Sequence, residues 1–211
     1  MGLLHKHLQT SQPSYCLTFE EDTALFAKLA KGQIKIDPER EAMFYEWAWE
    51  YLPNQGYSQY EVSNYARDGY ECRHNLNTWG MNEWIGFGPS ASSQYNQVRR
   101  KNFSNIEQWA KPLLLEESLE YEEYSELDNY DLARDAILFG LRMNRGINLN
   151  VISGKFRIPP DSFEGIHEFL ELLEKECLAV FEDHQYFLTL EGRMRCDAIA
   201  LEIPDLSSHS G

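Results

Sequence analysis

An α/β first half followed by a helical, winged-helix-like second half is the architecture this sequence predicts, and three observations carry it. Within residues 37–62 a helical pattern, a short loop and a strand pattern follow one another, which is one step of an α/β layer. After residue 128, three helical stripes lead into a hairpin pattern, the order of a winged helix. The charge divides along the same line. Residues 1–110 carry 10 basic and 13 acidic side chains, a net of −3, whereas residues 111–211 carry 9 and 21, a net of −12.

Taken in order, residues 15–19 read as a strand and residues 23–30 as a short helix. Asp37-Pro38-Glu39 is a helix start: Asp as N-cap, Pro at the first helical position, Glu favourable to the dipole. Met43, Phe44, Trp47, Tyr51 and Leu52 then form an apolar stripe at helical spacing, and residues 54–56 end it. Residues 57–62, aromatic and branched, are the next strand. Two strands cannot close a sheet, so this half is expected to belong to a larger α/β unit. Between residues 116 and 131 stand eight carboxylates and no basic residue, which reads as a solvated linker.

In the second half, residues 130–143 place Leu132, Ala136, Ile137, Phe139, Gly140 and Leu141 on one broad face, stopped by residues 144–146. A short helix over 149–156 ends before Pro159-Pro160. A third begins after Asp161 or Ser162, with Phe163, Ile166, Phe169, Leu170, Leu173 and Leu178 inward. Residues 179–182 and 185–190 flank Asp183-His184 as a hairpin, and 191–201 form a final helix.

Composition excludes several classes. No stretch approaches the roughly 20 apolar residues of a membrane span. The Met-Gly-Leu-Leu-His-Lys-His start lacks the apolar core of a signal peptide, so a cytoplasmic protein is expected. With 19 basic against 34 acidic residues, a net of −15, no nucleic-acid partner is expected in spite of the winged-helix pattern. Cys16, Cys72, Cys177 and Cys196 are too far apart to form a short metal-ligand pair, so neither a zinc ribbon nor a self-contained iron-sulfur cluster is expected.

The chemistry-bearing stretch is 57–102. Glu61, Ser63 and Asn64 stand at the C-terminal end of the predicted strand, where α/β sheets bind ligands, although Ser63 and Asn64 equally suit a turn cap. Arg73-His74-Asn75 lies between Tyr70 and Trp79. An imidazole beside aromatic faces suits a planar, iron-containing or anionic macrocycle, and also suits a hydrogen-bonded structural histidine. In Gly86-Phe87-Gly88-Pro89-Ser90-Ala91, the two glycines could bring backbone amides to an anion or simply form a close-packed turn. Ala91 stands where a dinucleotide fingerprint would have its third glycine. Arg99-Arg100-Lys101 could pair with propionates or phosphates, or with the acidic half.

The motifs YEVSNYA, ECRHNLNTW, GFGPSA and VRRKN, flanked by PSYCLTFEEDTALF and FLTLEGRMRCDAIALEI, resemble the oxygen-independent coproporphyrinogen III oxidase-like radical SAM proteins, particularly their haem-chaperone branch. The resemblance runs from about residue 13 to residue 201. It implies an incomplete (β/α) barrel segment over 13–112, an acidic linker over 113–128 and a winged-helix-like domain over 129–203, with 1–12 unmatched and 204–211 a tail. It also implies a [4Fe-4S] cluster and S-adenosylmethionine in the full-length family. The family's C-x3-C-x2-C motif has no counterpart here, so this chain alone is not expected to hold the cluster, and the N-terminal cluster-binding half is expected to be absent from it. The family's haem motif resembles H-N-x-x-Y-W; here His74, Asn75 and Trp79 keep it and Thr78 replaces the Tyr.

Haem is accordingly the expected cofactor, with His74 as candidate iron ligand. Arg73, Asn75, Trp79, Glu61, Ser63, Asn64, Arg99 and Arg100 are the candidate contacts to haem or porphyrin, and Gly86 and Gly88 form the loop near the ligand. The expected partners are porphyrin or haem, a separate N-terminal half, or a membrane-bound haem acceptor. The alternative is part of an oxidase acting in haem biosynthesis; a winged-helix interaction module is a third, non-enzymatic reading.

Overall fold

A computed structural model describes residues 10–13, 21, 23–116 and 118–207. They fall into two compact units that divide after Cys72. The strand expected at 15–19 and Cys16 lie outside the described residues.

The first unit opens with β1 (Ser11–Pro13). Helix α1 (Ala24–Ala30) follows, capped by Thr23, whose Oγ1 accepts from the Phe26 amide at 3.1 Å. Helix α2 (Pro38–Asn54) begins as its sequence requires, with the Asp37 carboxylate accepting from the Arg40 amide at 3.1 Å. It ends ahead of Gly56, which takes φ +80°. The expected strand then appears as β2 (Ser58–Glu61), but it turns back at once into β3 (Asn64–Ala66). All pairings are antiparallel, in the order β1-β3-β2, so the described sheet is open. The apolar stripe of α2 is on the surface. Met43 is 67% exposed and Trp47 58%, Phe44 and Tyr51 are exposed too, and the Trp47 and Tyr51 rings stack at 4.6 Å.

The β2–β3 turn is built around a buried acid. Glu61, 1% exposed, accepts through Oε1 from the Ser63 amide at 2.9 Å and from the Asn64 side-chain amide. Gln59 donates to the Val62 carbonyl at 2.9 Å, across a register shift between Gln59 and Glu61. Glu61 Oε2 is buried without a hydrogen-bond partner.

The second unit begins with α3 (Arg73–Trp79). Strands β4 (Ser92–Tyr95) and β5 (Val98–Lys101) form a hairpin whose loop residues, Asn96 and Gln97, both have positive φ, the geometry of a two-residue turn matched to strand twist. Helix α4 (Ile106–Leu115) is capped by Asn105. The acidic segment then departs from the linker expectation, because Glu123–Glu126 pairs with β5 as strand β6. All four of its side chains stay exposed, so the charges remain solvated while the backbone is satisfied, a charged edge that resists further pairing.

Helix α5 (Asn129–Arg142) starts with a reciprocal capping box: the Asp131 amide donates to Asp128 at 2.9 Å and the Asp128 amide to Asp131 at 3.0 Å. Helix α6 (Leu149–Phe156) has the bounds its sequence predicts. A 3-10 turn (Pro160–Phe163) leads into α7 (Glu164–Lys175). Strands β7 (Ala179–Glu182) and β8 (Gln185–Leu188) form the wing, with Asp183 and His184 both at positive φ. Ile147 and Tyr186 exchange backbone hydrogen bonds of 2.9 and 2.8 Å, fastening the wing to the α5–α6 connection. The single final helix expected over 191–201 is broken into α8 (Leu190–Met194) and α9 (Cys196–Glu202). Arg195 leaves helical geometry there, which lets Cys196 and Ile199 turn into the core. Ile137, Leu141, Phe163, Ile166 and Leu170 form the centre of that core, each at most 2% exposed.

Two pairs of substitutions test this packing. A Cβ on Gly192 would lie 1.9 Å from the Leu178 carbonyl oxygen, whereas one on Gly154, inside α6, would meet nothing within 4 Å. Gly192→Ala is expected to lower stability by about 1–3 kcal/mol, and Gly154→Ala to raise it by about 0.5–1 kcal/mol; urea unfolding read by circular dichroism checks both signs. Glu61→Ala removes the acceptor for two buried donors and is expected to cost about 1–3 kcal/mol. Glu61→Gln keeps one acceptor oxygen and should stay within about 1 kcal/mol of the parent, as read by tryptophan fluorescence in urea.

Candidate functional site

The candidate residues separate between the two units. Glu61, Ser63 and Asn64 belong to the first, and Arg73, His74, Asn75, Trp79, Gly86, Gly88, Arg99 and Arg100 to the second. In the first unit the Ser63 backbone amide and the Asn64 side-chain amide both donate to Glu61 Oε1, so the Glu61 carboxylate organises the turn. Glu61 Oε2 is buried and, among the described residues, has no hydrogen-bond partner.

In the second unit, α3 carries His74, Asn75 and Trp79 as successive parts of one short helix. The His74 side chain is exposed, and its carbonyl accepts from the Thr78 hydroxyl at 3.0 Å. Thr78 thus uses its oxygen on its own helix, a bond open to Thr and Ser at this spacing. Trp79 is five residues beyond His74, which at 3.6 residues per turn places the two about 140° apart around the axis. Its ring packs on Phe139 of α5 at 5.2 Å, with the Arg142 guanidinium 5.5 Å from its centre.

The basic triplet of β5 is engaged by acidic and aromatic groups. Arg99 donates to Asp135 at 2.6 Å and also to Gln94. Arg100 lies 4.7 Å over the Tyr121 ring. Lys101 meets Glu123 at 3.0 Å and Glu122 at 3.7 Å, and these carboxylates raise its pKa, the hydrogen bond to Glu123 most. The glycine loop is close-packed where Gly86 sits, since a Cβ there would be 2.3 Å from the Ser92 carbonyl. Gly86 donates its amide to Ser93 Oγ at 3.0 Å, Ser90 to the Phe103 carbonyl and Ala91 to the Gly88 carbonyl, so these three amides are spent within the fold. Gly88, at φ +98°, lies beside a small hollow of about 210 Å³ that Arg100 and Asn102 also line.

A larger open cleft of about 690 Å³ lies among α3, α5 and α6. Arg73 and Trp79 reach it as candidate residues, but Arg145 and Lys155 complete it and were not legible as site residues. Nothing in the spacing of positions 73, 145 and 155 announces that they meet. Lys155 Nζ donates to the Gly80 carbonyl at 2.7 Å and the Met81 carbonyl at 3.1 Å. Desolvation of this ammonium, and then the neighbouring Arg145 charge, lower its pKa. Among the described residues no three His, Cys, Asp or Glu side chains come together as a metal site, and Cys72 and Cys177 are free thiols. These residues therefore do not fit an iron-sulfur cluster. No described helix is long and apolar enough to cross a membrane.

No family model matches the chain. It is 28% identical over 174 residues to the "Heme chaperone HemW" of Lactococcus lactis, covering 81% of this chain and 44% of that protein. The protein of the same description from Bacillus subtilis is 26% identical over 182 residues, covering 85% and 47%. The "Radical S-adenosyl methionine domain-containing protein 1, mitochondrial" of Dictyostelium discoideum is 29% identical over 216 residues, covering 90% and 48%. The fold is similar to that of coproporphyrinogen III oxidase (HemN) from Escherichia coli, described as a radical SAM enzyme, with a TM-score of 0.64 at 19% identity over 84% of this chain and 44% of that one. The chain spans about half the length of the relatives it matches. Over that portion it is similar in sequence to proteins described as heme chaperones or as radical S-adenosyl methionine domain-containing, and in fold to coproporphyrinogen III oxidase.

Proposed function

We propose that this chain serves as the C-terminal part of a cytoplasmic haem-handling protein of the heme-chaperone kind, which passes haem to a membrane-bound acceptor. The observation that supports this most is the alignment of over four-fifths of the chain with proteins described as heme chaperones. His74 is the candidate iron ligand, since its imidazole is exposed on α3, and Asn75 and Arg73 flank it. Trp79 acts from behind, holding α3 on α5 through Phe139 and Arg142. Haem would supply the iron centre, and the chain's own part is to present the imidazole and place cationic side chains for the propionates. No step through S-adenosylmethionine or a cluster is assigned to the described residues.

A second reading, part of an oxygen-independent coproporphyrinogen III oxidase, is favoured by one feature: the buried, unsatisfied Glu61 Oε2 beside Ser63 and Asn64 at a strand end. Haemin titration of the full chain separates the two. The chaperone reading expects a saturable Soret shift that His74→Ala reduces by about tenfold in affinity; a spectrum identical to free haemin, or an undiminished shift in His74→Ala, sinks the assignment of His74.

A further inference from the structure

The cleft among α3, α5 and α6 is lined by cations without a carboxylate. In a chain of net charge −15, the residues lining it include Arg73, Arg145 and Lys155 and no carboxylate. Outside it, Arg99, Arg134, Arg142 and Arg195 each meet an Asp or Glu within 3.1 Å. Neither Arg73 nor Arg145 has an ion pair or side-chain hydrogen bond among the described residues.

Two of these charges meet at one turn. Arg145 Nη2 lies 3.3 Å from where a Cβ on Gly80 would stand, and the Gly80 carbonyl is the acceptor that holds Lys155 at 2.7 Å. Glycine at position 80 therefore lets Arg145 and Lys155 approach the same turn. Lys155 spends its donors on the Gly80 and Met81 carbonyls and on Asn82, so it contributes charge, while the two guanidinium groups keep theirs. Asn148 uses its Oδ1 to cap α6 and leaves its amide hydrogens for another acceptor. Leu76, Ile152 and Phe156 supply apolar wall, with Val151 65% exposed beside it, and Asn77, Asn82 and Gln185 add neutral polar groups. A volume of about 690 Å³ is that of a small-molecule site, for which several hundred Å³ is typical.

We propose that this cleft binds an amphiphilic anion, its carboxylate or phosphate head held by Arg73 and Arg145 and its apolar body lying on Leu76, Val151 and Phe156. Guanidinium groups suit both heads because their paired N–H donors match two oxygens of either. The assignment does not depend on haem binding at His74.

The test is an NMR titration of the ¹⁵N-labelled full chain with sodium octanoate, octyl phosphate, sodium acetate and octanol. Octanoate, octyl phosphate or both should shift the amides of Gly80, Asn82 and Gly146 saturably, and the tighter of the two identifies the preferred head. Acetate should bind at least about tenfold more weakly, because it lacks the body, and octanol likewise, because it lacks the charge. Arg73→Gln with Arg145→Gln, both at exposed positions, should weaken binding by at least about tenfold while leaving amides outside the cleft unmoved. Val151→Asn should weaken octanoate and spare acetate. Octanol binding as tightly as octanoate, shifts that centre on residues outside the cleft, no binding by either anion, or an unchanged affinity in the double variant would each overturn the proposal.

Discussion

Helix α5 buries Leu132, Ala133, Ile137 and Leu141 while also meeting α3, α6, α9 and β8. A helix approached from so many sides must be narrow where its neighbours come closest. Gly140 is that place: a Cβ there would lie 2.3 Å from Ile147 Cγ2. The close approach seats Ile147 against the helix, and Ile147 then pairs with Tyr186 and holds the wing. Phe139, one residue earlier, receives Trp79 and so fixes α3. The cleft is a consequence of this arrangement, since its walls are the elements that α5 positions.

The charge of the chain is organised by the same helix and its neighbours. Asp135 on α5 takes Arg99 from β5, Arg142 reaches Asp197 of α9, and Arg134 reaches Asp205. These partly exposed pairs are worth little individually, but each joins segments distant in sequence and so specifies which elements meet. The acidic segment plays a comparable part, because β6 completes a sheet while its carboxylates hold Lys101. Arg73 and Arg145 differ from these in lining a cleft that has no carboxylate in its wall, and that is what suggests a ligand.

Glu61 illustrates a different economy. A carboxylate buried to 1% exposure must be satisfied or serve a purpose, and here one oxygen organises the turn while the other has no partner. The strand-end position made Glu61 a candidate, and the aromatic and branched pattern made β2 visible. Strand β3 was hidden because three residues are too few to show alternation. The exposed stripe of α2 shows the reverse limit: its helical spacing was legible, but spacing says that a face is apolar and not what covers it.

Local signals determined most of the second half. The apolar stripes of α5, α6 and α7 and the Asp183-His184 turn act within a few residues of each other, so sequence alone was enough to predict them. The motifs were also sufficient to point to the radical SAM relationship, because order and spacing survive in the chain itself. Tertiary structure decided what depends on distant residues meeting. It broke the last helix at Arg195 to bury Cys196 and Ile199, drew the acidic segment into a strand, and turned Arg99 toward Asp135. It also brought Arg73, Arg145 and Lys155 to one cleft, which no pattern of neighbours along the chain could have announced.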